Sequence, residues 1–472
     1  MTTFASAVQT SPAETFTNNG MVTFDHSGDE LTTLFFAIGS SRGKDLTAQF
    51  ERAFQCEPLL AVRMLFWARD VRGGAGERDT FRKLLAKLAE LHPDTTRKVL
   101  DFVSEYGRWD DLAVLENTKL EPDVLRIVSN ALKADNSLCA KWTPRQGTFA
   151  NKLRKFMGLD PKTYRKLLVN LTKVVETPMC AREWNTINYD HVPSVAAARY
   201  QKAFNKHDSI RYSEYKEGLK SGSNKINASA VYPYDVIKSV DRGDEDVALA
   251  QWEALPNYLG DDKIIPMVDV SGSMIQHVGG SKTLTCMDMS VSLGLYIADK
   301  QEGAFKNLFL TFNTNSRIEL LHGNLLSKLT QLRRAAWGGS TSLESAYSEI
   351  LRIATTNKVA PEDMPSMLII FSDMEFNLAT SNRSSRSVRA HELAAEHFAI
   401  AGYKLPRIVY WNLAARDGGE GNVPVKFDEH GTALVSGFSP SIMKSILAAK
   451  QFDPRAIMLD TLNSDRYSAI AI

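Results

Sequence analysis

Residues Ile264 to Met274 read I-I-P-M-V-D-V-S-G-S-M, and this stretch decides the fold of the C-terminal half. An apolar run ends in a carboxylate, and hydroxyls follow at every second position, giving Asp269, Ser271 and Ser273. That order predicts a buried parallel strand delivering a polar loop at its C-terminal end. Pro266 interrupts the run and removes a ladder hydrogen bond, so the regular strand is expected to begin at Met267, with Ile264 and Ile265 leading in. A hard divalent cation wants oxygen ligands, keeps several waters and is held by one or two carboxylates with neutral oxygens. Asp269, Ser271 and Ser273 supply such donors from one turn, and Gly272 lets the backbone curl between them.

Two later stretches extend the pattern. W-G-G-S-T-S, from Trp337 to Ser342, sets Thr341 behind a glycine pair and just ahead of an amphipathic helix. M-L-I-I-F-S-D-M-E, from Met367 to Glu375, is a second buried-strand run that ends in Ser372-Asp373. Together the three elements resemble the von Willebrand factor A (vWA) domain, whose metal-ion-dependent adhesion site (MIDAS) uses D-x-S-x-S, a distal Thr and a distal Asp. The resemblance implies Asp269, Ser271, Ser273, Thr341 and Asp373 as metal ligands. An all-oxygen set of this kind takes Mg²⁺ or Mn²⁺ without distinguishing them. The competing reading makes the same residues ordinary turn and helix-capping positions.

Outward from these strands, the C-terminal half alternates. Helices are expected over 284–298, 325–332, 342–354 and 391–399, with strands over 307–312, 367–371, 407–413 and 433–435, and a last helix from Ser439-Pro440 to near Lys450. Such alternation implies a mostly parallel sheet with helices on both faces. Ligands bind outside the carboxyl ends of the strands in these sheets, where Asp269 and Asp373 both fall.

The N-terminal half has a different period. From about Leu31 to Ala134 one helix follows another, with Phe81, Leu84, Leu85, Leu88 and Leu91 at helical spacing. Pro93-Asp94, Pro122-Asp123 and Asp160-Pro161 mark helix boundaries. Successive short helices suggest a solenoid, although no fixed repeat length emerges. Residues 1–25, rich in Thr, Ser, Ala and Asn, read as a loose tail and not as a secretory signal. The expected domains are therefore the tail, a helical half over 26–255 and a vWA-like half over 256–472.

At 472 residues, 44% hydrophobic and 24% charged, the composition is that of a globular protein of two or more domains. No stretch approaches the roughly 18 apolar residues of a spanning helix. Cys56, Cys139, Cys180 and Cys286 form no C-x-x-C pair, which argues against structural zinc and a disulfide framework and favours a cytoplasmic setting. Net charge is +1, yet residues 141–225 hold 17 Lys or Arg against 7 Asp or Glu. Asymmetry of this kind points to a polyanion such as RNA, or to a helical region whose cations simply face water. The candidate RNA-binding residues are Lys141, Arg145, Lys152, Arg154, Lys155, Arg165, Lys166, Arg199, Lys202, Lys206 and Arg211, with aromatics such as Trp142, Tyr164, Tyr200, Phe204 and Tyr212 interleaved as stacking surfaces or as core. Arg69, Arg72 and Arg78 join them from R-D-V-R-G-G-A-G-E-R-D-T-F-R, Arg69 to Arg82, which reads as an anion site at a helix start or, alternatively, as a glycine-dependent interhelical turn. His207-Asp208 resembles pairs in metal hydrolases but lacks a second His at ligand spacing.

A helical half followed by a vWA half looks like the TROVE proteins, the group of the Ro ribonucleoprotein autoantigen. A closer likeness is to an uncharacterised family of phages and plants with the same plan. It is carried by R-D-V-R-G-G-A-G-E-R-D, Y-G-R-W-D-D-L (Tyr106 to Leu112), V-D-V-S-G-S-M, F-S-D-M-E-F (Phe371 to Phe376) and V-Y-W-N-L (Val409 to Leu413). The resemblance implies HEAT-like helical repeats, closed into a ring or open as a solenoid, joined to a Rossmann-like α/β vWA domain. It also implies a non-catalytic ribonucleoprotein-type function. The expected partners are structured or misfolded RNA with single-stranded ends and an acidic protein ligand at the metal, with no membrane. The alternatives are a metal-dependent protein-interaction module without RNA binding and, third, a metal-dependent nuclease or phosphotransferase. The third would need more carboxylates, such as Glu375 if extended geometry continued past Asp373.

Overall fold

A computed structural model describes residues 11–17, 20–41, 44–228, 231–241, 245–278, 283–312, 315–334, 342–376, 390–414, 423–449 and 451–472. The chain divides into two compact units, and sequence order alone does not delimit them. One comprises residues 1–64, 73–80 and 257–466; the other comprises 65–72, 81–256 and 467–472. The change of unit at Pro256–Asn257 lies beside the boundary expected near residue 255, whereas the packing of residues 1–64 with the sheet differs from that expectation.

The sheet unit begins with a hairpin, β1 (Glu14–Phe16) and β2 (Val22–Phe24), where the sequence suggested a loose tail. Val22 and Phe24 are buried, and Phe24 exchanges backbone hydrogen bonds with Val423 at 2.9 and 3.1 Å. These distant partners order a segment whose composition is that of a loop. The main sheet contains β3 (Ile264–Asp269), β4 (Leu308–Phe312), β5 (Ile318–Leu320), β6 (Met367–Ser372), β7 (Arg407–Asn412) and β8 (Thr432–Ser436). Its order is β5-β4-β3-β6-β7-β8, parallel throughout except for the antiparallel edge strand β5. The connection leaves β3 towards β4 and returns to β6 on β3's other side, so the sheet reverses direction between β3 and β6.

Pro266 lies within β3, which starts at Ile264 and not at Met267. Ile264 directs both its N–H and its C=O to the Gln301 side chain, while Lys263 accepts from Met367 of β6. Alternation puts Pro266 on the same side as Ile264, where pairing with β4 starts only at Met267. The missing N–H therefore costs no ladder bond, and β6 pairs with β3 continuously from Ile264 to Val268.

Both faces of the sheet are covered. Ile265, Met267, Leu310, Phe312, Leu368, Ile370 and Tyr410 pack with Leu343, Ala346, Tyr347 and Ile350 of the helix Leu343–Asn357, and with Ala394 and Phe398 of the helix Ala390–Ile400. On the other face, the helix Cys286–Lys300 approaches so closely that a Cβ at Gly294 would lie 2.3 Å from Val268 Cγ2. The helix Glu30–Ile38 reaches β8 through Gly39, whose N–H donates to Ser436 Oγ at 2.9 Å.

The other unit is helical, as the periodicity implies. Its helices are short, among them Glu121–Lys133, Thr148–Phe156, Pro161–Leu171, Ser194–His207 and Ser209–Ser221. Tyr189, Phe204, Tyr212 and Tyr215 form one core cluster. Among the described residues, no helix is long and apolar enough to cross a membrane.

Candidate metal centre

Asp269 is the last residue of β3, and Asp373 follows the last residue of the neighbouring β6. Adjacent parallel strands thus bring two carboxylates together at the carboxyl edge, at the point where the sheet reverses direction. Both are buried, at 0% and 4% exposure. Ser271 donates its backbone N–H to Asp269 Oδ1 at 2.9 Å, curling the chain so that Ser271 Oγ and Ser273 Oγ lie 3.0 Å apart. The Ser273 hydroxyl hydrogen-bonds Asp373, and Gln276 Nε2 donates to Asp373 Oδ2 at 3.3 Å. Four of the five expected ligands, Asp269, Ser271, Ser273 and Asp373, therefore converge. Thr341 lies outside the described residues.

Burial pushes the Asp269 carboxyl up to about 7, and the charge of Asp373 adds to the effect. Asp373 is also raised, first by burial, against the lowering effect of the Ser273 hydroxyl. Among the described residues, neither carboxylate has a Lys or Arg partner. Two adjacent buried carboxylates without a counter-charge are costly unless a cation joins them. With hydroxyls beside them, the donors fit a hard divalent ion. Among the described residues, no group of three or more His, Cys, Asp or Glu side chains is arranged as a metal cluster, so the donor set rests on these two carboxylates and the hydroxyls.

Glu375 does not continue the strand. Met374 takes a left-handed φ of 64°, and Glu375 N donates back to Asp373 Oδ1 at 3.2 Å. The turn places the Glu375 charge near enough to Asp373 to raise its pKa further. Ser372, quoted in the motif without a role, is fully buried, donates to Asp269 Oδ2 and accepts from Met374 N at 3.1 Å. Its place at the end of an apolar run was the available signal. Gln276 had none.

The candidate RNA-binding residues divide into two groups. Arg69 is buried in an ion pair with Asp111 at 2.7 Å, Lys141 pairs with Glu176, and Lys152 with Glu116 and Glu121. Arg211 pairs with Asp208 and donates to the carbonyls of Trp184 and Ile187; Arg154 donates to Leu159 O, and Arg78 pairs with Asp79. These side chains are committed to partners within the chain. Arg72, Lys155, Arg165, Lys166, Lys202 and Lys206 are exposed and make no ion pair among the described residues, while Arg145, also exposed, donates to Thr172 Oγ1 and Arg199 lies exposed beside the Tyr200 hydroxyl. Arg199, Lys202 and Lys206 recur at i, i+3 and i+7 on one helix, and Lys162, Arg165 and Lys166 share a face of another. Tyr164, Phe204 and Tyr212 are core and offer no stacking surface.

The glycine-rich stretch forms a turn that leads into the helix Arg78–Leu91. Gly76 has φ +73°, Arg82 bonds Asp110 and Asp111, and Arg108 bonds Asp110 while its guanidinium lies 3.9 Å over the Trp142 ring. The two motifs around Arg69 and Asp111 are thus partners in one buried ion network. His207 stacks on Trp184 at 4.7 Å, with the planes 15° apart.

Residues 17–115 and 148–262 match a family described as a domain of unknown function, DUF2828, and residues 263–467 match one described as a domain of unknown function, DUF7788. The two matches meet just before β3. Over 95% of its length and 87% of the relative's, the chain is 28% identical to "Uncharacterized protein L728" of Acanthamoeba polyphaga mimivirus.

Proposed function

We propose that this chain is a non-catalytic binding protein whose sheet unit is a vWA-type domain holding a divalent cation, Mg²⁺ or Mn²⁺, on which a partner protein's carboxylate docks. The observation that carries this reading is the pairing of buried Asp269 and Asp373, with Ser271 and Ser273 beside them and no Lys or Arg ion-paired to either carboxylate among the described residues. The strand order supports it, since the carboxylates sit at the crevice where open α/β sheets take ligands. Asp269, Ser271, Ser273 and Asp373 would hold the ion, and its uncompensated charge would accept an acidic group. Thermal melts of the full chain in EDTA and in Mg²⁺ or Mn²⁺ test the reading. The expected result is stabilisation of the wild type by cation and none in Asp373→Ala; no cation effect on the wild type refutes it.

A second surface is favoured by the cation rows on the helices Pro161–Leu171 and Ser194–His207. With Tyr164, Phe204 and Tyr212 buried in the core, these rows suit phosphates more than bases, as in a TROVE-type, ribonucleoprotein-like protein of the cytoplasm. RNA binding that weakens steeply with salt, and loses slope when Arg199, Lys202 and Lys206 become Glu, is the expected result. Binding unaffected by those changes overturns this surface.

A further inference from the structure

Two strands from β3, the edge of the same sheet carries a groove of about 770 Å³ between β5 and the helix Leu343–Asn357. It is lined by Ser316, Arg317, Ser345, Ser348, Glu349 and Arg352. The helix fixes one wall, since Ser316 N donates to Ser345 Oγ at 2.9 Å. Arg352 is already held by Glu349 through two bonds of 2.7 and 2.9 Å. Arg317 is exposed and has no acidic partner among the described residues. Its backbone is fixed, with Thr311 N donating to Arg317 O at 2.9 Å and Arg317 N donating to Thr311 Oγ1 at 2.9 Å. Arg317, exposed and without an acidic partner among the described residues, thus lines the groove from a backbone tied to β4.

Position follows from register. Thr311 of β4 pairs with Val268 of β3, immediately before Asp269, and Arg317 lies one strand beyond Thr311. Two strand spacings put the Arg317 backbone about 10 Å from β3, which is roughly three residues of extended chain. We propose that the segment docking at the carboxylate pair is an extended acidic peptide bearing a second Asp or Glu about three residues from the first, which pairs with Arg317. This rests on the cation-docking reading above. The first carboxylate meets the cation and the second meets the guanidinium, so Arg317 sets which acidic segments bind.

The probes are labelled Gly-Ser dodecapeptides carrying one Asp, or two Asp separated by one to six positions, titrated onto the full chain in millimolar Mg²⁺. The two-Asp peptide with a separation near three is expected to bind about threefold to tenfold more tightly than the one-Asp peptide. Arg317→Glu removes that advantage, leaves one-Asp binding unchanged, and favours a peptide with Lys in the second position. Metal-dependent binding that ignores the second Asp, or the Arg317→Glu change, overturns the inference and leaves the cation reading standing. Absence of metal-dependent peptide binding also overturns it, and melts without a cation effect then remove the underlying reading as well.

Discussion

Replacing Asp111 with Asn tests whether the buried ion network holds the helical unit together. Asp111 is fully buried and accepts from Arg69 Nε at 2.7 Å, Arg82 Nε at 2.6 Å and Arg108 N at 2.9 Å. The Arg69 side chain is only 5% exposed, so water cannot replace the lost carboxylate. Breaking one partner out of a buried pair costs about 3–5 kcal/mol, because the other charge is left without compensation. A typical domain has only about 5–15 kcal/mol of stability in total. Arg78→Ala is the control: that side chain is 48% exposed beside a 58% exposed Asp79, and its loss is expected to cost under about 1 kcal/mol. Urea unfolding followed by tryptophan fluorescence is the assay, since Trp67, Trp109, Trp142, Trp184 and Trp252 all belong to the helical unit. The neighbouring Asp110 adds a pH signature. Burial alone would raise it, but hydrogen bonds and charges from Arg108 and Arg82 prevail and hold its carboxyl below the usual value. A lowered folded pKa means this contribution is complete above the ordinary carboxylate range and disappears as acid titrates the folded group. An Asp111→Asn variant no less stable than Arg78→Ala refutes the reasoning.

Three further outcomes are expected. Because the Asp269 carboxyl is raised to about 7, the metal-free protein favours its protonated form; it should lose stability as pH rises from about 4 to about 7, while Asp269→Asn flattens that dependence in pH-resolved melts with EDTA. Tyr467 is buried, stacks on Tyr106 at 5.6 Å and donates to Asp70 Oδ2 at 3.0 Å, so Tyr467→Phe should cost about 1.5–3 kcal/mol in urea unfolding, as expected for a hydrogen bond to a charged group. Gly294→Ala would force a methyl to 2.3 Å from Val268 Cγ2 behind the site strand, and a loss of about 1–3 kcal/mol is expected by calorimetry.

The sheet was legible where residues interact with their near neighbours in sequence. Apolar runs ending in Asp269 and Ser372-Asp373 marked the two site strands, because a buried parallel strand needs apolar residues on both faces and its loop begins where they stop. β5 was not legible: Ile318-Glu319-Leu320 is three residues long, carries a charge, and owes its place to pairing with β4. The hairpin at 14–24 was hidden for a related reason, since its order depends on Val423, some four hundred positions away. Charge counting met a different limit. A surplus over 141–225 cannot tell an exposed lysine from a paired one, and the acids holding Lys152, Glu116 and Glu121, lie outside that window.

The same contrast separates what the two kinds of motif do. R-D-V-R-G-G-A-G-E-R-D and Y-G-R-W-D-D-L are dense in charge, yet their charges compensate one another: Arg69 and Arg82 meet Asp111, while Arg82 and Arg108 meet Asp110. Their burial is compatible with stability alone. V-D-V-S-G-S-M and F-S-D-M-E-F are poorer in charge, and theirs has one sign. Asp269 and Asp373 repel each other in a place where water is scarce, and Glu375 adds to the imbalance. A fold gains nothing from that arrangement by itself, because two buried carboxylates side by side favour protonation or a cation. The asymmetry between a neutralised network and a like-charged pair is the physical ground for reading the first as structural and for proposing that the second binds.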